Sequence, residues 1–186
     1  ELSHLQGRVD TGTTLLPFMV GVVTLRAVDQ AEIDEAIEAQ DRYMWEQGIQ
    51  AVGDICNQLD TAKVKASSPI RYHSFVEMFD FLQADRTDET YVQYKAVYDG
   101  QAGTESGNAK TAVPHAPYSV TPGLFAKINA LNAGQGTVSI HNQETMAEDE
   151  LFLQKSGGFL SFFEGFGASL DGFEPTGRPS IYHALD

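Results

Sequence analysis

The chain has 186 residues, enough for one domain with a real core and too few for two ordinary ones. It is 42% hydrophobic, 20% charged and 10% aromatic, an ordinary globular composition that argues against wholesale disorder. Its formal net charge of −14 would repel a polyanion or an anionic membrane surface, so neither nucleic acid nor membrane is expected as a partner.

The longest apolar stretch, residues 15–25, contains Pro17 and Gly21 and is about half the length of a membrane span. No basic segment precedes it, so it does not read as a signal peptide. The single cysteine, Cys56, cannot form an internal disulfide and reads as a small buried hydrophobe. Together these point to a soluble, cytoplasmic protein.

Asp29 with Glu32 three residues on has the form of a capping box, and the stretch to about Gln47 places Ile33, Ile37 and Met44 on one helical face. Gly48 suits the residue just beyond that helix. Strands are expected at residues 49–55, 70–76, 111–113 and 137–140. Between them, helices are expected over 87–98, with a Thr cap, and over 122–133, with Pro122 near its start. Residues 101–108 are rich in Gly and polar groups and read as a loop. Further helices are expected over 146–155 and in the first part of the Phe- and Gly-rich segment 157–177. Strands alternating with helices argue for parallel βαβ units, an α/β fold. The pattern does not separate a barrel from an open sheet, although no G-x-G-x-x-G follows a strand.

Two segments place reactive side chains at the ends of expected strands, where parallel α/β folds bind ligands. The first is Ser139-Ile140-His141-Asn142-Gln143-Glu144-Thr145. An imidazole at His141 can ligate a divalent cation, and a carboxylate three residues on can move a proton. The plainer alternative is a hydrogen-bonded histidine and a helix-capping glutamate. The second is Pro114-His115-Ala116-Pro117-Tyr118-Ser119, in which two prolines stiffen the backbone around His115. Such a histidine suits a substrate contact, or is simply part of a rigid loop.

In this order, with one helix between them, the two motifs resemble those of the amidohydrolase superfamily. The resemblance is closest to the branch of chlorohydrolases, guanine and cytosine deaminases and adenosylhomocysteine-type deaminases. There a P-H-x-P-Y-[ST] stretch follows barrel strand four and an H-x-x-E-T stretch follows strand five. The resemblance runs over nearly the whole chain, and its specific motifs lie in residues 112–145. It implies part of a TIM-like (β/α)8 barrel, strands two to five with their helices, as a single partial domain over residues 1–186. Carried over by motif, His141 is a metal ligand, Glu144 the catalytic proton-transfer carboxylate and His115 a substrate-binding residue. Glu77, ending the third of these strands, is a further substrate-binding candidate, with an exposed helix-start glutamate as the alternative. His4, His73 and His183 are expected to be structural.

The implied cofactor is a divalent metal, zinc before others, and the implied reaction is hydrolysis or deamination of a C–N bond in a small, cyclic or heterocyclic substrate. The metal would draw the pKa of its water from ~15.7 toward ~7. The alternative is an inactive barrel homologue acting as a binding or assembly module. A full barrel of this kind has about 250 residues. This chain lacks the family's H-x-H pair, strand-six histidine and strand-eight aspartate, and so is expected to be a piece of a longer protein or to pair with another copy as a homo-oligomer.

Overall fold

A computed structural model describes residues 2–134 and 136–185. The chain divides into two compact units, residues 1–77 with 94–111 and residues 78–93 with 112–186. Three strands form one sheet in the order β1-β2-β3: β1 (Ala51–Cys56), β2 (Arg71–Met78) and β3 (Ala109–Pro114). Among the described residues these strands follow one another as neighbours, with no switch point between them.

In the first unit, α1 (Leu15–Leu25) and α2 (Gln30–Glu46) precede β1, and α3 (Ala62–Ser67) links β1 to β2. β1 and β2 are parallel, with Val52 opposite Tyr72, Asp54 opposite Ser74 and Cys56 opposite Val76. Side chains alternate along a strand, so these residues share one face and His73, Phe75 and Glu77 share the other. Ile33 and Ile37 of α2 are buried, as their helical spacing predicts, and Cys56 is fully covered. Gly48 adopts a φ of 84°, the left-handed geometry that closes α2 through the Gly48 N–H to Trp45 C=O and Ile49 N–H to Met44 C=O bonds. The expected capping box does not form. Asp29 occupies the cap position without a side-chain bond, and the Glu32 carboxylate pairs with Arg8.

The expected structural roles of the histidines hold for His4, buried and bonded through Nε2 to the Arg26 carbonyl at 3.1 Å. They hold also for His73, which stacks on Phe75 at 4.4 Å and bonds Thr111 at 2.9 Å.

In the second unit, the segment after β2 is organised by Asp80. Its buried carboxylate accepts from the Thr87 hydroxyl at 2.7 Å, the Thr121 hydroxyl at 2.5 Å and the Thr121 N–H at 3.0 Å. It thus ties together the starts of α4 (Thr87–Gly100) and α5 (Pro122–Asn132). The hydroxyl of Thr87, expected as a helix cap, is therefore engaged by Asp80. Thr121 does cap α5, its oxygen accepting the Leu124 N–H at 3.2 Å. Later helices are α6 (Met146–Gln154), α7 (Gly158–Gly165) and α8 (Ile181–Leu185). Leu124, Ile128, Leu151, Phe152, Phe159 and Phe163 form this unit's core. His183 lies on α8 with Nε2 3.3 Å from the Val120 carbonyl, again a structural position.

One expected strand is absent. Residues 137–140 have no assigned strand and approach the preceding segment through the His141 N–H to His115 C=O bond at 2.9 Å. Gly134 and Gly136 hold positive φ just before it, and Val138 is 60% exposed, so little burial holds this stretch in a ladder.

Candidate metal centre

Pro114 ends β3 and Pro117 opens a short 3-10 turn over Pro117–Ser119, so the backbone carrying His115 is fixed at both ends. The His115 N–H donates to the Met78 carbonyl at 3.1 Å. On its side chain, Nδ1 lies 2.6 Å from Ser119 Oγ, and the Ser119 hydroxyl donates to the Ala116 carbonyl at 3.1 Å. With that hydroxyl proton committed, Nδ1 is the donor to Ser119, and Nε2 carries the lone pair. The ring packs edge-on to His141 at 5.4 Å and to Tyr118 at 5.6 Å.

His141 and Glu144 lie on the loop between residues 137 and 145. The side chain of His141 is 45% exposed and that of Glu144 28%. Their Nδ1 and Oε1 are 4.0 Å apart, too far for a direct hydrogen bond. Glu144 Oε2 accepts instead from the Tyr118 hydroxyl at 2.7 Å. Tyr118 is held in place by Phe159, whose ring lies 4.5 Å away, and both residues are buried. Gln143, just before Glu144, has a φ of 55°, which is unfavourable for a residue with a side chain. On the far side, the Glu144 N–H donates to Glu148 Oε2 at 2.8 Å. Glu144 is thus held both through its side chain and through its main chain.

Glu77, Tyr118, Ser119 and Glu148 extend the picture drawn from the motifs. Glu77 is buried within β2, not exposed at a helix start. Within the second unit, the rings of His115 and His141 lie edge-on at 5.4 Å, with the Glu144 carboxylate beside His141. Imidazole and carboxylate are the donor types that suit zinc or another first-row divalent ion. Tyr118 and Ser119 belonged to a motif already noted, but their partners were not readable from it. Glu148 did carry a signal, the T-x-x-E spacing from Thr145.

No protein-family model matches the chain, and no curated protein does. Solved structures do. Aminofutalosine deaminase from Helicobacter pylori, in complex with methylthio-coformycin, matches with a TM-score of 0.71 at 20% identity, over 89% of this chain and 40% of that one. An adenosine deaminase from Xanthomonas campestris with bound zinc matches with 0.62 at 19% identity, over 88% and 39%. A mutant of atrazine chlorohydrolase from Arthrobacter aurescens, complexed with zinc and atraton, gives 0.60 at 15% identity, over 83% and 41%. The chain has the α/β fold of part of these enzymes' TIM-like barrel. It spans about 40% of their length.

Proposed function

We propose that this chain is part of a metal-dependent amidohydrolase that hydrolyses or deaminates a C–N bond of a small, cyclic or heterocyclic substrate. The observation that carries the reading is the Glu144 carboxylate, clamped by Tyr118 at 2.7 Å with its other oxygen 4.0 Å from His141 Nδ1. The fold shared with an adenosine deaminase and a chlorohydrolase mutant, both solved with zinc, supports it.

His141 would hold the cation. His115 and Glu77 would contact the substrate. The cation, zinc before others, would act as a Lewis acid that makes water nucleophilic near neutral pH. Glu144 takes a proton from the attacking water on Oε1 and returns it to the leaving nitrogen. Tyr118 keeps Oε2 occupied, so that Oε1 faces His141. Water attack with loss of the nitrogen group balances without an oxidant or reductant. The protein is expected to work in the cytoplasm on a small molecule, without nucleic acid or membrane, and as a homo-oligomer if a second copy completes the barrel.

The test is metal analysis of the intact protein together with Glu144→Gln. Near-stoichiometric metal in both proteins, with turnover of an amino-heterocycle panel falling by orders of magnitude in the variant, supports the reading. Undiminished turnover in the variant overturns the role of Glu144. A metal-free, inactive protein makes the chain a binding or assembly module.

A further inference from the structure

The first unit contains a cavity of about 330 Å³ on the sheet face opposite Glu77. That volume is at the lower end of small-molecule pockets, about 300–1,000 Å³. Ile37 and Met44 of α2, Val52 of β1 and Val64 of α3 supply apolar wall. The polar wall consists mainly of Asp41, Asp54, Thr61, Lys65 and Tyr72.

These groups differ in what they have left to offer. Lys65 is 2% exposed, and its ammonium is already spent. Nζ lies 2.6 Å from Asp54 Oδ2, 2.9 Å from Ser74 Oγ and 3.6 Å from Cys56 Sγ, three partners for three protons. An anion entering the cavity would find no free cationic donor there. Asp41 is different. Its Oδ1 accepts from both the Ser68 hydroxyl at 2.7 Å and the Tyr72 hydroxyl at 2.6 Å, while its Oδ2 has no bond among the described residues. Thr61 is 6% exposed, and its hydroxyl has no hydrogen-bond partner among them. A buried hydroxyl left unpaired costs about 1–3 kcal/mol, a cost that a ligand making the bond would remove. Two carboxylates against one neutralised ammonium leave the cavity net negative. In keeping with that, the Tyr72 hydroxyl holds its proton more tightly than usual, first through burial and then through Asp41 and Asp54.

We propose that this cavity is a second binding site, separate from the metal centre, for a small organic ammonium with an apolar body. The ammonium sits at Asp41 Oδ2, within hydrogen-bonding range of Thr61, and the body lies on Ile37, Met44 and Val52. The long-range field of a chain carrying −14 favours the same charge.

Benzylammonium is a suitable probe, with benzyl alcohol and benzoate as controls, titrated into the full chain by calorimetry and heteronuclear NMR. Saturable binding of benzylammonium is expected, with shifts at Thr61, Met44 and Val52, at least tenfold weaker binding of benzyl alcohol, and none of benzoate. Asp41→Asn keeps an acceptor for Ser68 and Tyr72 and is expected to weaken binding at least fivefold. Met44→Trp fills the cavity from α2 and is expected to abolish binding, which decides the matter if the Asp41 variant does not fold. Equal binding of benzoate, shifts at His115 and His141 in place of the cavity residues, or unchanged affinity in folded Asp41→Asn or Met44→Trp would overturn the proposal.

Discussion

The carboxylate of Glu148 accepts the backbone N–H of Glu144 at 2.8 Å, so the residue proposed to move the proton is held through its main chain by another acid four positions on. Glu148 lies in the first turn of α6, is fully buried, and its second oxygen has no partner among the described residues. A buried acid is costly to keep, and here it secures a loop that passes through the left-handed Gln143. Glu148→Ala removes the acceptor and leaves the Glu144 amide unpaired, a loss of about 1–3 kcal/mol. Glu148→Gln retains an acceptor oxygen and is expected to lose less than half as much. Urea unfolding of the three proteins measures both, and equal losses would show that the bond to Glu144 is not what Glu148 contributes.

Tyr118 acts on the side-chain end of the same residue. Its hydroxyl bond to Glu144 is one to a carboxylate, worth about 1.5–3 kcal/mol. Tyr118→Phe keeps the ring on Phe159 and removes only that bond. In the intact enzyme it is expected to lower kcat by about tenfold or more, with KM and metal content nearly unchanged. Metal lost along with activity would instead assign Tyr118 to holding the donor group together.

The contrast between Glu144 and Tyr118 shows what the sequence could reveal. His141 and Glu144 could be singled out because they fall within four consecutive positions after a strand-like stretch. The bond between Tyr118 and Glu144 spans 26 residues, and Phe159 packs on the tyrosine ring. Glu77 shows the same limit, since its place in β2 decides whether it is a surface acid or a buried one, and its neighbours in the chain do not. Helices α2, α4, α5, α6 and α7 and three of the strands were readable from the chain's pattern, whereas α1 and α3 were not anticipated. The stretch 137–140 has a strand's composition and lacks the burial that would hold it in a ladder, and composition alone cannot register that difference. Where the capping box at Asp29 was expected, Glu32 pairs with Arg8, more than twenty residues away.

His73 should impose a pH dependence on stability. Burial lowers its pKa below the ordinary value of 6.5. As pH falls, the unfolded chain takes up this proton before the folded one does. The stabilisation is therefore complete above about pH 6.5 and is lost progressively as pH falls toward the lowered folded-state value. His73→Gln retains a polar side chain beside Thr111 without the titration. Its thermal midpoint is expected to fall less than that of the parent between about pH 7.5 and about pH 5. Parallel pH profiles for the two proteins would show that His73 contributes no such linkage.

Lys65 offers a test of how the first unit is held together. Its ammonium is buried against Asp54, whose side chain is 18% exposed, and the pair joins α3 to β1. Burying two charges costs much of what their attraction returns, so the pair need not be a net gain over apolar residues. Removing one partner is a different matter, because the other charge stays in place without its counter-ion. Lys65→Met is thus expected to cost about 3–5 kcal/mol. Asp54→Val added to it should recover more than half of that loss, since neither buried charge then remains and two apolar side chains fill the space. Chemical unfolding of both single variants and the double variant gives the coupling directly. Strictly additive losses would mean that Lys65 is retained for its bonds to Ser74 and Cys56 and not for its charge.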